Sequence, residues 1–140
     1  MATVNSYLNF NGNTEEAFNF YKSVFGGEFI TVQRYKDTPA CDGMMADEQD
    51  KIMHIALPIG GNVLMGTDVI APMPMATYGT GISLSVDAES EEEAHKIFNG
   101  LSAGGTATMP LDKMFWGALF GMLTDKFGIH WMVNHDYKTK

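Results

Sequence analysis

The side chains in this sequence best suited to proton transfer are two histidines in apolar segments. His54 and His130 each lie within a run of strand-forming residues. Imidazole titrates near neutral pH, so either residue could bind a ligand or move a proton. The alternative for each is a hydrogen-bonded histidine in a partly buried strand. Period-two alternation places His130 on the same face of its strand as Met132 and Asn134.

The remaining titratable groups allow one further arrangement. The residue types permit a metal site built from His54, His130 and Asp68, although the sequence gives no distances between them. His95 lies within a helical pattern and His135 lies close to the last residues of the sequence. We expect both of these histidines to be solvated.

Phe115 and Trp116 are candidates for the wall of a binding site. Aromatic side chains offer a large, rigid contact area, and an indole N–H can orient a polar ligand. Met65 and Met132 would make such a site apolar and adaptable, because thioether side chains are flexible and polarizable. The alternative is that strand alternation turns one of the two aromatic side chains into the core.

The elements that must position these side chains form a duplicated pattern. Two stretches repeat apolar residues at the spacing i, i+3, i+4, i+7, which is typical of one face of a helix. These residues are Ala17, Phe20, Tyr21 and Val24, then Ala94, Ile97, Phe98 and Leu101. Asn13 and Ser90 precede the stretches, each with Glu three residues later, which predicts two capping boxes. The pairs Gly26-Gly27 and Gly104-Gly105 suit left-handed C-terminal caps.

Strand-like segments surround each predicted helix in the same order. We predict strands at 4–10, 28–35, 52–59 and 62–67, then at 81–87, 106–109, 114–124 and 129–134. Gly60-Gly61 predicts a hairpin, 36–51 a polar loop, and 125–128 a turn. The result is an α+β fold of two βαβββ modules, at about 1–68 and 81–136, with a linker at about 69–80 in one domain. Each module leaves one face of its mixed sheet bare, so we expect the bare faces to line a cleft.

Composition excludes several classes of function. The chain has 140 residues, which suits one domain, and its 45% hydrophobic content is too high for a disordered chain. A formal charge of −8 argues against nucleic acid as a partner, because such binding depends on Lys and Arg. The sequence has no apolar run of membrane-spanning length, no signal-peptide pattern and a single cysteine, Cys41. We therefore expect a cytoplasmic protein with no disulfide and no cysteine-based zinc site.

Several motifs resemble one known superfamily in their order and spacing. They are Phe20-Tyr21, Phe25-Gly26-Gly27-Glu28, Leu64-Met65-Gly66-Thr67-Asp68, Asp112-Lys113-Met114-Phe115-Trp116-Gly117, Phe120-Gly121, Thr124-Asp125-Lys126-Phe127-Gly128 and Trp131-Met132-Val133-Asn134. Over nearly its whole length the chain resembles the vicinal oxygen chelate superfamily, which includes glyoxalase I, extradiol dioxygenases and bleomycin-resistance proteins. Within it, the chain is similar to the PhnB-like branch. Members of that branch often carry methyltransferase labels, but this sequence has no glycine-rich nucleotide-binding turn.

The resemblance also indicates where a metal would bind. In the metal-dependent members, four side chains, mostly His, Gln and Glu, hold a divalent ion. The resemblance places those four positions at Ser6, Met65, Gly81 and Met132. Such ions prefer nitrogen or oxygen donors, thioethers suit soft metals, and glycine has no side chain. A shift of one residue brings in no imidazole or carboxylate, so we expect the usual metal centre and its chemistry to be absent.

These observations lead to one expected function and two alternatives. We expect a cytoplasmic, metal-free protein that binds a small, partly apolar or aromatic molecule, with no cofactor and no nucleic-acid or membrane partner. The expected binding residues are Ser6, Met65, Phe115, Trp116, His130 and Met132. One alternative is a lyase, isomerase or dioxygenase-like enzyme that uses a noncanonical metal or a cleft histidine. The other is a homodimer whose cleft serves mainly as the interface, since the relatives implied by the resemblance commonly pair.

Overall fold

The computed structural model describes residues 2–39 and 42–137, which form two compact units. The first unit is Met1–Thr77 and the second is Tyr78–Lys140. Cys41 lies outside the described residues, as does part of the loop predicted at 36–51. Among the described residues, no helix is both long and apolar enough to cross a membrane.

The first unit is a four-stranded mixed sheet with one long helix. Its elements are β1 (Ser6–Phe10), α1 (Thr14–Phe25), β2 (Thr31–Arg34), a 3-10 turn (Tyr35–Asp37), α2 (Ala46–Gln49), β3 (Ile52–Ile59) and β4 (Asn62–Asp68). The strand order is β1-β4-β3-β2, with β1 and β4 parallel and the other neighbours antiparallel. The predicted hairpin at Gly60-Gly61 is confirmed, because β3 and β4 pair on either side of it.

The second unit repeats this topology. Its elements are β5 (Leu84–Asp87), α3 (Glu91–Ser102), β6 (Thr106–Lys113), β7 (Ala118–Thr124) and β8 (His130–Asp136). The strand order is β5-β8-β7-β6, with β5 and β8 parallel. The predicted α+β class and the duplicated strand, helix and three-strand unit are confirmed.

Several predicted boundaries are wrong. The strand predicted at 28–35 is only Thr31–Arg34, and the loop predicted at 36–51 contains the short helix α2. The strand predicted at 81–87 begins at Leu84, so Gly81 precedes β5. Asp125 confirms the predicted turn at 125–128, because its carboxylate accepts hydrogen bonds from the Phe127 and Ile129 amides and from the Trp131 indole. This buried side chain fixes the start of β8.

Each long helix packs on its sheet through a phenylalanine and a strand glycine. A Cβ added to Gly66 of β4 would lie 2.5 Å from Cε1 of Phe18, and one added to Gly121 of β7 would lie 2.8 Å from Cε1 of Phe98. Only glycine allows so close an approach. The buried stripe of α3 is the predicted one, but that of α1 is Thr14, Ala17, Phe18 and Tyr21, which is rotated from the prediction.

The two helices begin in different ways. In α3 the predicted capping bond forms, because Ser90 Oγ accepts from the Glu93 amide at 3.0 Å. Glu93 in return accepts from the Glu89 amide, one residue before the expected donor. The capping bond predicted for Asn13 is wrong, since its side chain makes no cap hydrogen bond.

The carboxylate of Asp68, at the end of β4, caps α1 from a distance. Its Oδ1 accepts from the Gly12 amide, the Thr14 amide and the Thr14 hydroxyl at 3.0, 3.0 and 2.6 Å. Its Oδ2 accepts from the Ile52 amide at 2.8 Å. Asp68 is 1% exposed, so these bonds are protected from water. One side chain therefore joins the end of β4 to the start of α1 and the start of β3.

We expect Asp68→Asn to lower the free energy of unfolding by about 2–4 kcal/mol, because an amide has the same size but loses the charge and faces a buried donor with an NH2 group. Urea denaturation followed by circular dichroism measures the change. Asp47→Asn, at an exposed position of α2, is the matched control and should change stability by less than about 0.5 kcal/mol. Equal losses in the two variants would contradict the capping role.

Candidate functional site

Strand alternation gives each sheet one face that carries the long helix and one that does not. In the first unit, Gly66 points at α1, so Met65 and Thr67 point to the other side. The strand register places further side chains beside them. We call this set the first helix-free face, and it consists of Tyr7, Asn9, Gln33, His54, Met65 and Thr67.

The register separates Ser6 from Met65. Ser6 pairs with Leu64, which is buried on the side of α1, whereas Tyr7 pairs with Met65. Ser6 and Met65 therefore lie on opposite faces of the sheet, and Tyr7 is the β1 residue beside Met65. A shift of one residue in a strand reverses the face, and the resemblance alone does not fix the register.

Tyr7 and His54 form a hydrogen-bonded pair on this face. The Tyr7 hydroxyl lies 3.0 Å from His54 Nδ1, and the two rings are 5.7 Å apart with an angle of 33°. Burial raises the pKa of the Tyr7 hydroxyl and Tyr35 adds to the increase, while the Thr67 hydroxyl opposes it. Tyr7 therefore stays protonated and can act as a donor at neutral pH. Sequence reasoning missed Tyr7 and could not assign His54 to a face, because the pair joins strands far apart in the chain.

We expect Tyr7 to ionise above pH 10 in the folded protein, because its pKa is raised from the usual value of about 10. The difference in tyrosinate absorbance between the native protein and Tyr7→Phe isolates this group. The stabilisation linked to the raised pKa is fully present below the unfolded pKa and is lost as the pH rises through the folded pKa.

The control is the same titration in urea, where both proteins are unfolded. The difference in tyrosinate absorbance should there have its midpoint at about pH 10. A midpoint in the folded protein at or below the midpoint in urea would contradict the burial of this hydroxyl.

In the second unit, β8 presents His130, Met132 and Asn134 on one face, as alternation predicts. Trp131 and Val133 are buried on the side of α3. The register brings residues of β5 and β7 to the same face. We call this set the second helix-free face, and it includes Ser85, Asp87, Phe120, Met122, Thr124, His130, Met132 and Asn134, with Thr106, Met109 and Asp112 of β6 beside them.

Both ring nitrogens of His130 are already hydrogen-bonded within the protein. Its Nε2 lies 2.7 Å from the Gly79 carbonyl oxygen, and its Nδ1 lies 2.9 Å from the Thr124 hydroxyl. A carbonyl only accepts, so Nε2 carries the proton, and in the neutral ring Nδ1 accepts from Thr124. This geometry favours the hydrogen-bonded alternative for His130 over proton transfer.

The other two histidines differ from each other. His95 is exposed on α3, as expected. The expectation that His135 is solvated is wrong, because the ring is half-buried and its Nδ1 lies 2.9 Å from the Ala88 carbonyl oxygen.

Phe115 and Trp116 lie in the turn between β6 and β7. The strand predicted at 114–124 is wrong at its start, because the Gly117 amide donates to the Met114 carbonyl and closes a turn. Gly117 follows with a φ of 91°, which favours glycine. Phe115 is 96% exposed and Trp116 is 52% exposed, so neither side chain enters the core, contrary to the alternative from strand alternation.

Trp116 connects this turn to the second helix-free face. Its ring contacts Phe115 edge-on at 5.0 Å and Phe120 at 5.9 Å, measured between centroids. Phe120 pairs with Asn134 and therefore lies on the second helix-free face. The three aromatic rings form a continuous row that begins at this face and ends at the exposed tip of the hairpin.

The donors at the four expected metal positions do not suit a divalent ion of the superfamily. Ser6, Met65, Gly81 and Met132 supply one hydroxyl, two thioethers and no side chain at the glycine. The strand neighbours of the two methionines, Tyr7 beside Met65 and Ser85 beside Met132, add only a phenol and a hydroxyl. Asp68 cannot join His54, because it lies on the α1 side of the sheet and both of its oxygens accept hydrogen bonds. Within the part of the chain that the structure describes, no three His, Cys, Asp or Glu residues lie close enough to share an ion.

Comparison with known proteins identifies the family. The model of the 3-demethylubiquinone-9 3-methyltransferase family matches residues 2–134. The chain belongs to this family, and with it to the PhnB-like branch of the vicinal oxygen chelate superfamily. Solved structures of glyoxalase-related and glyoxalase/bleomycin resistance proteins share the fold at 18–19% identity.

Three individual proteins are similar over almost their whole length. Protein YjdN from Escherichia coli is 32% identical over 136 residues, which are 91% of each chain. Protein PA1353 from Pseudomonas aeruginosa is 40% identical, with a TM-score of 0.85 over 97% of this chain and 98% of that one. A PhnB protein from Bacillus cereus is 29% identical, with a TM-score of 0.78 over 96% and 99%.

The family's description names a methyltransferase reaction, and the two turns that precede the long helices can be compared with the turns that bind nucleotide cofactors. The turn from β1 to α1 contains one glycine, Gly12, and the turn from β5 to α3 is Ala88-Glu89-Ser90. Neither is the glycine-rich turn that binds a nucleotide cofactor. At the start of α1 the Gly12 and Thr14 amides already bind the Asp68 carboxylate, which takes the place an anionic ligand would need.

Proposed function

We propose that this protein binds a small, partly aromatic molecule on its helix-free faces without using a metal ion. The observation that carries the proposal is the chemistry of those faces. The first face carries the thioether of Met65 and the hydrogen-bonding pair Tyr7 and His54. The second face carries the thioether of Met132 and the start of the aromatic row from Phe120 through Trp116 to Phe115. Thioethers and aromatic rings bind flat apolar ligands, and a few neutral polar groups orient them.

The proposal retains the other expectations from the sequence. We propose a cytoplasmic protein whose partner is a small molecule and neither nucleic acid nor membrane. The cleft expected from the sequence, and the roles of Ser6 and His130 in it, stay predictions. An enzyme that uses a histidine is the first alternative. Of the two histidines on the helix-free faces, His54 favours it more, because its Nε2 has no hydrogen-bond partner among the described residues whereas both nitrogens of His130 are bonded. A homodimer is the second alternative, favoured by the exposure of Phe115.

Protein purified without added metal should contain no stoichiometric divalent ion. The expectation follows because Ser6, Met65, Gly81 and Met132 offer one hydroxyl, two thioethers and no side chain at the glycine, and such groups bind divalent ions poorly. Inductively coupled plasma mass spectrometry of the dialysed protein measures this. A metal content close to one ion per chain that survives dialysis would contradict the metal-free proposal.

A screen of small aromatic and apolar compounds by thermal shift should identify ligands, because a compound that binds the native state adds about 2.7 kcal/mol at 100 times its Kd. Trp116→Ala should weaken the binding of such compounds by roughly tenfold, as expected for an aromatic contact residue. Ile30→Ala, another exposed apolar truncation, is the control and should leave binding unchanged.

Two outcomes of this screen would contradict the binding proposal. One is that no compound in a broad library raises the melting temperature. The other is that Trp116→Ala leaves binding intact but changes the mass measured by light scattering, which would favour the homodimer.

A further inference from the structure

The Tyr7–His54 pair can form one more hydrogen bond than it makes with the described residues. The pair shares one proton between Tyr7 Oη and His54 Nδ1. If Tyr7 donates, His54 carries its own proton on Nε2 and offers a free N–H. If His54 donates, Nε2 becomes a free acceptor and the Tyr7 O–H can point elsewhere. Among the described residues, His54 Nε2 has no hydrogen-bond partner, so in either form the pair can bind one more polar group.

His130 shows by contrast what a fully bonded histidine looks like in the same fold. Its Nε2 and Nδ1 are held by the Gly79 carbonyl and the Thr124 hydroxyl at 2.7 and 2.9 Å. No hydrogen-bonding position of that ring is left for a ligand. Both histidines lie on helix-free faces and both are half-buried. They therefore differ in their hydrogen bonds and not in their exposure to solvent.

The charges of the first unit indicate the charge of the group that the pair would bind. The basic side chains of this unit are already engaged elsewhere: Lys22 with Glu28, Arg34 with Glu15, Lys36 with Asp50, and Lys51 with the Gly12 carbonyl. The first helix-free face itself carries no lysine, arginine, aspartate or glutamate. An anion would therefore lose its hydration without gaining a salt bridge to lysine or arginine, which is costly. A neutral oxygen fits better.

The neighbours of the pair indicate what carries that oxygen. Met65 pairs directly with Tyr7 and lies on the same face. Sulfur next to a phenol ring is a favourable surface for a flat aromatic ligand. Tyr7 is 44% exposed, so part of its ring is open to such contact.

We propose that Tyr7 and His54 bind the neutral hydroxyl group of an aromatic ligand, whose ring lies against Met65 and the Tyr7 ring. A phenolic hydroxyl both donates and accepts, so it matches the pair in either of its proton arrangements. This inference rests on the proposed ligand-binding function and specifies the ligand class at one of its faces. Under this inference, Tyr7 and His54 make the protein prefer an aromatic ligand that carries a hydroxyl group over an aromatic ligand that lacks it.

The test uses 2-naphthol as the probe, with 2-methoxynaphthalene and 2-naphthoate as matched compounds. Binding of each compound to the native protein is measured by calorimetry. We expect 2-naphthol to bind at least fivefold more tightly than the ether, which cannot donate, and more tightly than the anionic naphthoate. Tyr7→Phe and His54→Gln should each remove most of that preference. His95→Gln, a change at an exposed position on α3, is the control and should keep it.

Nitrogen-15 spectra of the histidine rings give a second readout that does not depend on variants. On addition of 2-naphthol, His54 Nε2 should shift, while both nitrogens of His130 should stay in place because they are bonded within the protein. Equal binding of naphthol and its ether, tighter binding of naphthoate, or an unchanged His54 Nε2 resonance would overturn the inference.

The proposed function and this inference can fail separately. If naphthol does not bind but other compounds in the thermal-shift screen do, and Trp116→Ala weakens them, ligand binding stands and the role of Tyr7 and His54 is rejected. If no compound of any class binds, both are rejected.

Discussion

The buried carboxylate of Asp68 is the contact on which the first unit depends. It accepts four hydrogen bonds from the start of α1, the turn before it and the start of β3. A buried charge is tolerable only when it is bonded in this way, so the ends of three elements must meet at one point. That requirement fixes α1 on one face of the sheet and leaves Tyr7, His54 and Met65 on the other. The second unit reaches the same topology by a local cap at Ser90, and on its helix-free face the Asn134 side chain donates to the Asp87 carboxylate.

The helix-free faces differ in what they offer to a ligand. On the second face His130 is bonded at both nitrogens, and the aromatic row through Trp116 supplies apolar contact area. On the first face Tyr7 and His54 keep capacity for another hydrogen bond beside a thioether. The two units therefore share a topology but carry different residues on their helix-free faces. Among the described residues, neither face brings three His, Cys, Asp or Glu side chains close enough to share a metal ion.

Much of the fold could be predicted because its signals are local. The stripe from Ala94 to Leu101, the glycines of the β3–β4 hairpin and the turn at Asp125 each depend on neighbouring residues, and the structure has all three. The candidate site was harder. Phe115 and Trp116 were expected in a strand, but the amide of Gly117 closes a turn there. Ser6 was chosen where Tyr7 lies beside Met65, since an offset of one residue changes the face.

The sequence by itself determined the duplicated α+β topology and the family, because these follow from periodicity and motif order. Only the tertiary structure decided which side chains meet. The α1 helix is capped by Asp68 and not by the adjacent Asn13. The partner of His54 is Tyr7, which belongs to a strand far from His54 in the sequence. Such contacts depend on strand register and on the side of the sheet that the helix covers. Both are set by long-range packing, which a local pattern does not encode.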